Sequence, residues 1–220
     1  MSDQPYATCE SLDEKAENWL QQIAPYGKHQ LSLNPATAAL LVIDLQNYFV
    51  EPTSHSFLPA VSAVLPNVQK LIAVFRQFKR PVIYTTHVHK PDGSDAGIMG
   101  WWWGDMIREG HTEAEIHAAI APQPDERIIK KHRYSAFYNT DLETVLRCAK
   151  IEDLVICGVM TNLCCESTAR DAYFRDYRVF FLADATATVC EEMHLATLIN
   201  LSYGFAHVGR TEEILKAFEH

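Results

Sequence analysis

Residues 155 to 174 read VICGVMTNLCCESTARDAYF, and the adjacent thiols Cys164 and Cys165 open a segment with helical spacing. In the first turn of a helix, free N–H groups and the positive end of the dipole favour a thiolate and lower a thiol's pKa. Cys165, Ala169, Ala172 and Tyr173 follow the i, i+4, i+7, i+8 rule and form an apolar stripe that faces a sheet. Cys165 is therefore expected in the core. Cys164, about 100° further around the axis, is free to face a cleft. Neighbouring helical positions suit a disulfide poorly, so a redox pair is the weakest use of the two thiols.

A nucleophilic thiol needs a proton acceptor and a group that holds its charge. Asp44 follows the apolar run ALLVI, and partial desolvation suits a carboxylate to proton transfer. Lys130 and Lys131 sit together in IIKKHRYSAF, and alternation leaves open which of them faces inward. His87 and His89 are two apart on one strand, so both rings point to one face. With Asp95 they could ligate a divalent metal. The preferred reading is that one histidine orients a substrate, the other is exposed, and no cofactor is needed. Trp101 to Trp103, framed by Gly100 and Gly104, would be costly to expose and are expected to cover a pocket or an interface. Cys148, Cys157 and Cys190 read as buried filler. Cys9 has no reading.

These groups need elements to place them. Residues 1–34 are polar and mixed, with one helix near 13–23, and read as an extension packed onto the domain at 35–220. Strands are expected at 38–46, 80–89, 127–135, 152–161, 178–186 and 206–211, with helices at 64–78, 141–149, 164–177 and 191–204. Alternation of this kind predicts an α/β fold: a doubly wound, mostly parallel six-stranded sheet with helices on both faces. In such sheets ligands bind outside the carboxyl ends of the strands. Asp44, Gln46, His87, His89, Lys130, Lys131 and Cys164 all fall on that rim.

At 220 residues, 48% hydrophobic and 21% charged, the chain is long enough for one substantial core. Its net charge of −9 argues against nucleic acid and anionic membrane surfaces as partners. The six cysteines show no disulfide or zinc spacing, and neither a leader nor a membrane span is apparent, so a cytoplasmic protein with reduced thiols is expected.

LLVIDLQNYF, IIKKHRYSAFYNTDLE and ICGVMTNLCCESTARDA resemble, in order, the three signature segments of the isochorismatase-like cysteine hydrolases. The resemblance covers roughly residues 36–215 and implies an Asp–Lys–Cys triad at Asp44, Lys131 and Cys164, choosing Lys131 over Lys130. It implies a cis peptide between Val159 and Met160 and an oxyanion hole from the Met160 and Cys164 N–H groups. The fold it implies is the doubly wound sheet.

Vinyl-ether-cleaving isochorismatases have His before the first Asp and no nucleophilic Cys. Ile43 and Cys164 thus point to the C–N hydrolase branch, acting on a small-molecule amide or ureido group. His87-Val-His89 replaces the Asp-x-His of metal-dependent nicotinamidases, which argues against a metal and against nicotinamide. TNLCCESTARDAYF is nearer the ureidoacrylate-hydrolase type. Candidate substrate contacts are Gln46, Phe49, His87, Trp101, Trp102, Tyr134, Phe137 and Val159, and a homo-oligomer, dimer or tetramer, is expected. The alternatives are a vinyl ether hydrolase that uses Asp44 alone and a non-catalytic small-molecule binder.

Overall fold

The structure, a computed structural model, describes residues 5–219; the first four residues of the extension and His220 lie outside the described residues. Six strands form one all-parallel sheet in the order β3-β2-β1-β4-β5-β6. They are β1 Ala38–Ile43, β2 Val82–His87, β3 Arg127–Lys131, β4 Asp153–Val159, β5 Arg178–Ala187 and β6 His207–Gly209. Every residue of β1, β2 and β4 is buried, as strands covered on both faces must be. Edge strand β3 alternates instead, and the alternation puts Lys131 inside and Lys130 outside.

The helices are α1 Leu12–Ile23, α2 Asn47–Val50, α3 Val61–Gln77, α4 Ile98–Trp103, α5 Leu142–Cys148, α6 Glu166–Tyr173, α7 Glu191–Gly204 and α8 Thr211–Ala217. α3 packs with α8, and α7 with α1 and α6, each group also meeting the sheet. α1 presents Leu12, Ala16, Trp19 and Ile23 to the same core as the strands. Among the described residues no helix is long and apolar enough to cross a membrane.

The strand order reverses between β1 and β4, so a crevice opens at their carboxyl ends. Two backbone features shape it. The first strand is shorter than the apolar run suggests: it stops at Ile43, and Asp44 turns out of it in the left-handed region at φ 48°. Beside it, Gly158 lies at φ 118°, where a Cβ would sit 2.1 Å from the Ile43 carbonyl oxygen. Only glycine allows β4 to pass β1 this closely. The Val159–Met160 peptide bond is cis, and the chain then makes one π-helical turn, Thr161–Cys165, before α6 begins.

Three expectations change here. The tryptophan run, outside every element expected above, is helical. Tyr173 is half exposed rather than part of the inward stripe; Cys165, Thr168, Ala169 and Ala172 form that stripe, and Tyr173, in the last turn of α6, falls at its edge. Cys148 is exposed and Cys190 half-buried, so only Cys157 is buried filler.

Candidate active site

Three strand ends supply the floor of the site. Asp44 follows β1, Lys131 ends β3, and Cys164 stands in the π turn after β4. Lys131 Nζ lies 2.6 Å from Asp44 Oδ2 and 3.2 Å from Cys164 Sγ. Asp44 and Lys131 have no exposed surface, and Cys164 is 7% exposed. Thr85 fixes the carboxylate: its hydroxyl donates to Asp44 Oδ1 at 2.5 Å and accepts the Asp44 N–H at 3.0 Å. Lys131 Nζ also donates to the Arg133 carbonyl at 3.1 Å and meets His87 Nδ1 at 3.3 Å.

These neighbours set the charge states. Burial alone would lower the Lys131 pKa, but the Asp44 carboxylate and the Cys164 sulfur outweigh it and raise it, so the ammonium persists. Burial pushes the Cys164 thiol up to about 12, with Lys131 opposing and Asp44 adding to the rise. The expectation of a thiol lowered by a helix end is therefore corrected. The sulfur sits in a buried π turn, and desolvation exceeds what the Lys131 ammonium returns. Burial and the Lys131 charge hold His87 well below the usual histidine range, so that ring is neutral. Burial also lifts Cys165 far above a free thiol, in keeping with a core role.

A cavity of about 1100 Å³ opens above Cys164. Phe49, His87, Tyr134, Met160 and Cys164 line it as expected from the sequence. Five of the candidate substrate contacts do not reach it, and Asp44 and Lys131 lie beneath it. Gln46 is fully buried and committed: its amide donates to the His87 and Ala114 carbonyls, and its Oε1 accepts the His87 N–H. Phe137 stacks on Tyr177 with ring centroids 6.0 Å apart, and Val159 is buried in β4. Trp101 and Trp102 are 74% and 67% exposed on the outer side of α4. Met99 and Trp103, one helical turn apart, supply the inward face, and the Trp103 indole donates to Tyr134 Oη at 3.1 Å. Helical spacing pairs Met99 with Trp103 but does not by itself say that their face is the inward one. Sequence reasoning also missed Tyr48, His55 and Asp105, which meet at the cavity wall through contacts of 2.6 and 2.8 Å.

Of the two histidines, His87 lines the cavity, whereas the other is not exposed as expected. His87 Nε2 and His89 Nε2 lie 3.1 Å apart, and His89 is buried, its Nδ1 held by Asp95 Oδ1 at 3.2 Å. His89, Asp95 and His132 bring ligand atoms within 4.8 Å of one another, as do Asp44, His87 and Cys164. Among the described residues His87 and His89 therefore fall in different groups, and the two rings do not share one three-ligand set of the kind zinc takes. From the sequence His132 stands at the end of the third strand but not among the metal-ligand candidates, which are His87, His89 and Asp95.

The family model for the isochorismatase domain matches residues 38–213. Nicotinamidase 3 of Arabidopsis thaliana is 44% identical over 179 residues, covering 80% of this chain and 85% of the relative. The ureidoacrylate amidohydrolase RutB of Methylobacterium radiotolerans is 30% identical, covering 84% of this chain and 81% of the relative. The crystal structure of a cysteine hydrolase from Pseudomonas syringae pv. phaseolicola superposes with a TM-score of 0.84 at 33% identity, covering 86% of this chain and 96% of that one.

Proposed function

The chain belongs to the isochorismatase family, and we propose that it is a cysteine hydrolase cleaving the C–N bond of a small amide or ureido compound through a thioester on Cys164. One observation carries the reading: a single ammonium, Lys131, touches both the Asp44 carboxylate and a sulfur at the floor of a cavity. The amide-cleaving activities in the names of two relatives support it.

At rest the pair is Asp44 carboxylate and Lys131 ammonium beside a neutral thiol. As a carbonyl carbon meets Sγ, Asp44 takes the thiol proton, and Lys131 donates to the developing thiolate. The Met160 and Cys164 N–H groups hold the tetrahedral oxyanion. Protonated Asp44 then gives its proton to the leaving nitrogen, and ammonia or an amine departs. Water, deprotonated by Asp44, attacks the thioester and returns the thiol. Neutral His87 is left to orient the substrate. No step uses a metal or other cofactor, and dialysis against a chelator is expected to leave turnover intact. We keep with this reading a cytoplasmic homo-oligomer, dimer or tetramer.

Among the described residues no lysine or arginine lines the cavity, whereas Phe49, Trp103 and Tyr134 do. That favours uncharged amides with a planar or apolar body over carboxylate-bearing ones. A panel of primary amides, nicotinamide among them, and ureido acids assayed for ammonia release tests the reading. Release from uncharged amides is the expected result. Release from ureido acids alone would overturn the charge argument. No release, with turnover of a vinyl ether, would favour the isochorismatase alternative.

A further inference from the structure

The cavity above Cys164 is not closed by the residues of the family match alone. Pro5, Ala7, Thr8, Cys9 and Glu10 form part of its wall, and all of them precede the matched segment, which begins at residue 38. The segment is fixed at both sides of the opening. The Tyr6 hydroxyl accepts the Thr188 N–H at 3.3 Å, next to the lining residue Val189. The Tyr6 ring packs on Trp19 and on His194, at 6.1 and 5.9 Å between centroids. On the far side the Cys9 thiol donates to the Ser62 carbonyl at 3.5 Å, in the first turn of α3. Ala7 is buried, and the Leu12 N–H donates to the Thr8 carbonyl at 2.9 Å, tying the segment to the start of α1. α1 is itself clamped to α7, where Glu191 accepts from Trp19 at 2.7 Å and from Lys15 at 2.8 Å.

A segment held at Thr188 and at Ser62, with its intervening residues facing the cavity, limits what can stand above the sulfur. We propose that residues 5–10 are a specificity-determining wall, added to the shared catalytic floor, which restricts the bulk of the group attached to the scissile carbonyl. The inference rests on the cavity above Cys164 being the substrate site.

The test is size-selective access to Cys164, measured by alkylation and peptide mapping with iodoacetamide and with a pyrene maleimide. Deletion of residues 2–10 is expected to speed the maleimide reaction at Cys164 about tenfold and to leave the iodoacetamide rate unchanged. Cys9→Trp, which keeps Tyr6 and Ala7 in place, is expected to slow the maleimide selectively. It is also expected to raise KM for bulky amides more than for small ones. Maleimide rates equal in all three proteins would overturn the proposal, as would a deletion that speeds both reagents alike. Size-dependent labelling without amide turnover would fail the proposed function and leave the wall standing. Turnover with size-independent labelling would fail the wall alone.

Discussion

In the floor beneath the cavity Asp44 and Lys131 expose nothing, and their polar contacts come from strand residues or the turns just beyond them. On the wall, Trp103 is 51% exposed, and its neighbours come from a short helix, a long connection and the N-terminal segment. The floor holds charge in a dry place, where a missing partner is expensive. The wall holds aromatic surface at the water's edge, where single contacts are worth little. The difference separates what fixes the chemistry from what fixes the substrate.

The largest effects should come from breaking the floor. Cys164→Ala is expected to lower kcat by at least about a thousandfold, while Cys165→Ala keeps kcat and loses about 1 kcal/mol of stability in urea melts. Lys131→Met leaves the Asp44 carboxylate buried without its partner. It should remove activity and cost about 3–5 kcal/mol, read by chemical denaturation.

A smaller effect concerns the buttress under the floor. His194 is fully buried, meets Thr161 of the π turn at 3.0 Å, and is held down to about 4 by burial, against an ordinary 6.5. Its folded pKa lies below the unfolded one, so its contribution is complete above pH 6.5 and is lost as pH falls through about 4. Wild type should lose stability over that window by about 3 kcal/mol from this group, and His194→Asn should show a flatter acid limb. On the wall the effects shrink further. Trp103→Ala should raise KM about fivefold with kcat little changed, and Trp101→Ala should change neither; equal effects would erase the distinction between the two faces of α4.

The same division governs what could be read from the sequence. AALLVI and DLVICGV announce buried parallel strands because both faces are covered, and the polar residues just beyond them fall on the ligand rim. Asp44 and Cys164 were legible on that ground. Lys131 was separated from Lys130 by resemblance alone, until the burial of alternate residues in β3 showed why. The π turn was not legible: a helix assumed to begin regularly near residue 164 puts the thiol at a dipole end, whereas the structure buries it in the π turn, where desolvation raises its pKa. Trp101 and Trp102 were chosen over Trp103 because nothing local reveals which face of a six-residue helix meets a cavity built by distant segments. Cys9 was opaque for the same reason, since its segment is held by Thr188 and Ser62, which lie on other elements.

The central claim is a covalent acyl group on Cys164. Acid quenching during steady-state turnover of an amide that releases ammonia, followed by peptide mapping by mass spectrometry, measures it directly. The account predicts an acyl adduct on the Cys164 peptide, absent from Cys165 and removed by hydroxylamine. Turnover at full rate with no adduct on Cys164, or undiminished ammonia release from Cys164→Ala, would contradict it.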